Sequence, residues 1–163
     1  MRIQTLVLFL ALLCTGLLAG AFYYGALNMV PAFYDVPPAV HLVYRVHLMK
    51  YNSASMQAVM ALGFAMPLWF AWLARKEKAA RDLAMAAGLL AVTALLVTRF
   101  GNVPINGLIR SWPPEAPPEG WLEHLRRWNW FNLARTLAGG GSFVAMIFCV
   151  LKYRKITAIG PLV

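Results

Sequence analysis

Acidic residues are scarce in this chain: six Asp and Glu stand against fifteen Lys and Arg. None lies inside an apolar run, which excludes a carboxylate proton relay and a di-metal carboxylate centre, since both need acids at membrane or bundle depth. Cysteine is nearly absent. Cys14 and Cys149 each fall within an apolar run without a CxxC or ligand-like spacing, and so read as small buried hydrophobes, not a disulfide or a zinc site. Bulky Leu13 directly before Cys14 argues against an acylated cysteine. No HExxH, phosphate loop, dinucleotide fingerprint or Ser-His-Asp pattern is found. Nothing alternates with the period of a barrel strand, and no internal repeat is evident.

What the chain has is apolar length. With 61% hydrophobic and 13% charged residues it falls outside the soluble globular range. Four apolar runs predict membrane-spanning helices over about 4–28, 53–73, 83–100 and 131–152, each near the ~20 residues that cross a hydrocarbon core. Lipid leaves helices as the only option there, because backbone groups must pair internally. The expected fold is an all-α integral membrane protein, a single four-transmembrane-helix bundle over residues 1–163. Its partners would be membrane lipids. The first run follows only Met1 and Arg2 and continues past Gly20 to Leu27, too long for a cleaved signal segment, so it is expected to stay in the mature protein.

The net charge of +9 does not point to nucleic acid, since the basic residues form short clusters flanking apolar runs, not a stripe with interleaved aromatics. Those clusters carry orientation. Arg75, Lys76, Lys78 and Arg81 in the second link, Lys152, Arg154 and Lys155 in the tail, and Arg2 place both termini in the cytoplasm, with a bacterial inner membrane as the expected home. Two long connections then lie on the opposite side. Residues 29–52 hold Pro31, Pro37 and Pro38 and then a helical stretch, with His41, Arg45 and Asn52 on one face and Tyr44, His47 and Tyr51 on a neighbouring one. That helix is expected to run straight into the second span. Residues 101–130 hold Pro113, Pro114, Pro117 and Pro118, a stiff bend, followed by Trp121, Trp128 and Trp130 as an interfacial aromatic girdle.

Small residues mark where helices approach. Gly16 and Gly20 form a GxxxG, and Gly139, Gly140 and Gly141 sit in the fourth run.

The chemistry-bearing residues gather at the mouths of the third and fourth runs. Gly101 and Pro104 should loosen or end the third helix, and Asn102 and Asn106 lie beside the freed backbone. Asn132 and Arg135 follow Trp128 on a common helical face. Arg135 either snorkels outward or aims a charged donor into the bundle, toward the two asparagines. Arg99 has the same choice. His41 and His47 are six apart, about 120° around a helix, which suits a shared metal poorly. His47 is the better candidate for a base. Haem or copper held by His41 or His47 is an alternative; otherwise no cofactor is expected.

Three stretches carry a family resemblance. The Leu17–Pro31 segment, the Asn102-Val-Pro104-Ile-Asn106 step and Trp128-x-x-x-Asn132-x-x-Arg135-Thr136 resemble the anthrone oxygenase-like family of small four-helix membrane proteins. Many members carry His directly after the Asn of the last motif, Asn132 here, where this chain has Leu133. The resemblance implies an oxygenase that converts a planar phenolic anthrone to a quinone without an established cofactor. On that footing Trp128, Trp130 and Phe100, with Arg99, would form a flat substrate slot for a hydrophobic small molecule. Arg135, Asn102 and Asn106 would stabilise the developing oxyanion, with Asn132 a further catalytic residue on the Arg135 face, and His47 would be the base. The competing reading is a non-catalytic accessory subunit or assembly factor that docks on other membrane subunits through its small-residue faces.

Overall fold

A computed structural model describes residues 3–158, and among these the fold is all helical. Arg2, used above for orientation, lies outside the described residues, as do the side chains of Arg154 and Lys155. The helices are α1 (Ile3–Tyr24), α2 (Val30–Tyr34), α3 (Pro38–Leu73), α4 (Lys78–Val97), α5 (Val103–Ser111) and α6 (Trp121–Ala158). Single wide π-turns, Gly25–Met29 and Thr98–Asn102, join α1 to α2 and α4 to α5 without a break. Four continuous rods result, over Ile3–Tyr34, Ala54–Leu73, Lys78–Ser111 and Trp121–Tyr153, each long and apolar enough to cross a bilayer.

All four apolar runs are helices, but three of the rods overrun their expected ends. The first passes through Pro31 to Tyr34, the third passes through Gly101 and Pro104 to Ser111, and the fourth begins at Trp121. Proline fails to stop the first and third for one reason. In each, the residue before the proline donates the last wide bond: Val30 N–H to Gly25 O, and Val103 N–H to Thr98 O, each five residues back. The proline then occupies the first turn of the next α segment, where its missing N–H is tolerated. Helix α3 runs from Pro38 without interruption, so its first turns extend beyond the apolar stretch at Ala54–Leu73, as expected.

Helix α1 packs against α3 and α6, and α4 packs against the same two, so α1 and α4 are diagonal. The α4–α6 seam is the closest. Ala80, Ala84, Ala87, Ala91 and Ala94 form a small-residue stripe at heptad-like spacing on α4, fully buried. Ser142 Oγ donates to Ala87 O at 2.8 Å across the seam, and the Cys149 thiol donates to Ala80 O at 3.3 Å. Both cysteines are buried and unbridged, as their surroundings predict. Only part of each glycine motif is used for close approach: a Cβ at Gly16 would lie 3.1 Å from the Phe143 ring, and one at Gly139 would lie 2.9 Å from Phe22. Gly20 and Gly140 face open space.

At the end away from the 74–77 link, Leu42, Ile105, Ile109 and Leu125 make a separate apolar cluster, flanked by Trp112, Trp121 and Trp128. This cluster clamps the extension of α3 to α5 and to the first turns of α6. The tryptophans of the second long connection are therefore mostly helical residues of α6, not part of a loop.

Candidate functional site

Between the alanine seam and this cap the rods diverge around a cavity of about 450 Å3. Every rod contributes to its wall, including Gly25 and Met29 of the first π-turn and Thr98 of the second. The extra residue of a π-turn widens a helix and re-aims its side chains, a device that recurs at functional sites. Most of the wall is apolar, with Phe22, Phe33 and several methionines. Three arginines line it, Arg45, Arg110 and Arg135, and no aspartate or glutamate does.

Trp128 is the centre of the arrangement. Its indole Nε1 donates to Asn106 Oδ1 at 2.7 Å, and its backbone oxygen accepts from Asn102 Nδ2 at 3.1 Å. These bonds tie α6 to the π-turn and α5, and fix the ring plane. Gly101 is required beside them, because a Cβ there would overlap the Phe131 ring. The Arg45 guanidinium carbon lies 4.1 Å from the Trp128 ring and 5.6 Å from Phe33. That of Arg135 lies 5.4 Å from Trp128 and 4.8 Å from Phe22. Both distances to the tryptophan are within cation–π range, worth about 0.5–2 kcal/mol each depending on desolvation.

Arg135 turns inward. Its Nε and Nη2 both donate to Asn132 Oδ1, at 3.0 and 2.7 Å, and Nη1 reaches Thr98 Oγ1 at 3.5 Å. Three of its five N–H groups are thus engaged, all by neutral acceptors. Arg45, only 3% exposed, donates from Nη1 to His41 Nε2 at 3.2 Å, while its Nε and Nη2 have no partner. His41 stacks on Phe33 with centroids 5.0 Å apart, and Tyr34 and Trp121 meet it edge-on. Burial first, and then the Arg45 charge, push His41 down to about 4, so it is a neutral acceptor at pH 7. Burial also lowers Arg45, to about 10, which leaves it charged.

Of the residues singled out from sequence, Asn106, Trp128, Asn132 and Arg135 meet on the cavity wall. Asn102 does not. It is fully buried behind Trp128, and its Oδ1 has no partner. The expected aromatic slot is corrected more heavily. Phe100 and Trp130 are 74% and 69% exposed, and Arg99 is also exposed; the π-turn and the phase of α6 direct all three away from the cavity. Phe22 and Phe33 supply the aromatic wall in their place. His47 is exposed and off the cavity wall, on a different face of α3 from the buried His41, whose Nε2 is taken by Arg45. The two rings therefore do not form a common ligand pair, and His47 is not placed to act as a base in this cavity. Among the described residues no group of three His, Cys, Asp or Glu converges. Leu133 is 43% exposed, so the position after Asn132 also faces outward.

Arg45 was legible only as a member of the His41–Arg45–Asn52 face. That periodicity was the available signal, and all but His41 of the three line the cavity.

The sequence profile of the anthrone oxygenase family matches residues 46–145, which takes in α4, α5 and most of the cavity wall. The chain belongs to the anthrone oxygenase family. Comparison with curated proteins and with solved structures finds no match. The family match covers Trp128, Asn132 and Arg135, whereas Arg45 lies one residue before it.

Proposed function

We propose that this protein is a membrane-embedded oxygenase that binds a planar phenolic substrate of the anthrone class in the Trp128 cavity and directs its oxidation by O2. The observation that carries this reading is a largely apolar chamber of about 450 Å3 in which a fixed indole is flanked by two arginines with no acidic counter-charge. An accessory subunit would be served as well by a closed, self-paired corner.

The chemistry is oxidation of a ring CH2 to a carbonyl: substrate plus O2 gives quinone plus water. An anthrone in its enol form ionises as a phenol, and the resulting anion is electron-rich enough to pass one electron to O2. Radical recombination forms a C–O bond, and the hydroperoxide then loses water as the second C–H proton departs. The protein's part is to hold the ring plane against Trp128 and to favour the anion. Arg135 is braced by Asn132 and Thr98 and keeps two N–H groups for the ligand oxygen. Asn106 acts by fixing the indole. With no histidine or carboxylate on the cavity wall, the first proton leaves to solvent and the substrate binds already ionised. In this reading the basic link Arg75–Arg81 faces the cytoplasm of a bacterial inner membrane, and the cavity lies at the outer end.

The test is O2 uptake by purified protein supplied with an anthrone. Expected is one O2 consumed per quinone formed, well above the spontaneous rate, and a loss of about 100- to 1000-fold in Arg135→Ala, the usual consequence of deleting one oxyanion donor. Uptake no faster than the spontaneous reaction overturns the oxygenase reading, and equal rates in the two proteins remove Arg135 from it.

A further inference from the structure

Buried arginines usually carry a carboxylate partner, because an uncompensated charge in a dry site is expensive. Arg45, buried beside Trp128, breaks that habit, and half-buried Arg135 does so in the same way. Arg135 is braced by an amide and a hydroxyl, and Arg45 by an imidazole. Each acceptor fixes the guanidinium without cancelling its charge. Arg110, exposed at the rim, adds a third positive group to a wall that holds no acid.

Arg45 is the more demanding of the two. It is 97% shielded from solvent, borders the cavity, and leaves Nε and Nη2 unpaired. Orphan donors of a buried cation call for an acceptor, and an anionic oxygen satisfies both charge and hydrogen bonding at once. The reading above gives Arg135 the phenolate of the reacting ring and leaves Arg45 without a task.

We propose that Arg45 forms a second anion subsite that receives an ionised oxygen group, a carboxylate or a second phenolate, carried elsewhere on the same planar ligand. The substrate class is thereby narrowed to acidic polycyclic phenols with two anionic oxygens. His41 is a positioning residue: it pins Nη1 from behind and, being neutral, leaves the full charge for the ligand. The proposal rests on the planar-ligand reading of the cavity, and it concerns binding, so turnover is not needed to test it.

The probes are anthraquinone-2-carboxylate and its neutral isostere anthraquinone-2-carboxamide, titrated into the full-length protein in phosphatidylcholine nanodiscs and read by quenching of tryptophan fluorescence. The carboxylate is expected to bind about 10- to 100-fold more tightly than the carboxamide, the range for a charge-assisted hydrogen bond. Arg45→Gln should erase the difference between the two probes. Because that variant alters a buried site, His41 supplies a second handle. His41→Gln retains an acceptor and should keep the preference, whereas His41→Leu should lose it without weakening carboxamide binding. Equal affinity of the wild-type protein for the two probes overturns the subsite. So does displacement of the carboxylate alone by phosphatidylglycerol, which would assign Arg45 to a lipid phosphate. If neither probe binds, the planar-ligand reading itself fails and takes the subsite with it, a result distinct from equal binding.

Discussion

Around Ala84 and Ala87 the bundle meets through side chains of one carbon, and the hydroxyl and thiol buried there, Ser142 and Cys149, reach backbone carbonyls across the seam. Around Trp128 the same rods part, two of them widened by π-turns. Charge is left over there: Arg45 keeps two unpaired nitrogens, and Asn102 keeps an unpaired oxygen. In lipid, where apolar surface gives helices little reason to associate, the alanine seam supplies the close packing and hydrogen bonds that hold the rods together. The cavity end spends some of that stability on unpaired donors, the pattern expected where local rules are broken for a ligand.

If the division holds, damage to one end should leave the other's property intact. The largest effect is expected at Arg135. Arg135→Ala should lower the oxygenation rate about 100- to 1000-fold, while the thermal midpoint in detergent moves by only a few degrees. A collapse of the midpoint alongside the rate would mean that the cavity arginine also supports the bundle, and the contrast would be lost.

The mirror experiment is Gly88→Val. A Cβ at Gly88 already falls 2.5 Å from Leu68 Cδ2, between α3 and α4. Overpacking of this kind costs about 1–3 kcal/mol, so the unfolding midpoint should fall measurably. Affinity for a quinone ligand, titrated well below that midpoint, should change little, because neither Gly88 nor Leu68 borders the cavity.

Much of this contrast was legible in the sequence, and its gaps have physical causes. Apolar run length was enough for four helices, because lipid allows a run that long little else. The common face of Trp128, Asn132 and Arg135 follows from helical phase alone, whereas its inward direction depends on the packing of the other rods. Phe100 enters the expected slot only through the family resemblance, and the π-turn at Thr98–Asn102, which adds a residue to the usual 3.6 per turn, is not visible from helical periodicity. Pro31 and Pro104 looked like helix ends for the same reason: a wide turn just before a proline removes the clash that normally stops the helix. Trp130 stands two residues from Trp128, and two residues along a helix point to opposite sides, so the two indoles do not share a wall. Arg45 is visible in the sequence as part of a face and not as a site, since leaving its Nε and Nη2 unpaired depends on what the other helices place around it.

A smaller effect is expected from pH, and it belongs to the capped end alone. His41 sits near 4 when folded against an ordinary value of 6.5, and the groups around it are Arg45, Tyr34, Phe33 and Trp121. Between those values the unfolded chain binds a proton that the folded chain does not. Stability contributed by neutral His41 is therefore complete above pH 6.5 and declines as pH falls toward 4. Thermal midpoints measured across that window should slope downward on acidification, and His41→Gln, which cannot titrate, should flatten part of the slope. An unchanged slope would show that other groups set the acid response.

The smallest effect should come from the two aromatics that the fold turns outward. Phe100→Ala and Trp130→Ala remove side chains 74% and 69% exposed, neither of which touches the cavity wall. Surface changes of this kind stay within about twofold in rate or affinity. Trp130 at such a height along α6 suits a headgroup-level anchor, so its loss should show in how the protein tolerates bilayers of different thickness, not in its turnover. A tenfold loss of oxygenation in Trp130→Ala would relocate the ligand to the outer wall of α6, and Arg45, buried behind Trp128, would then be too far inside to meet it.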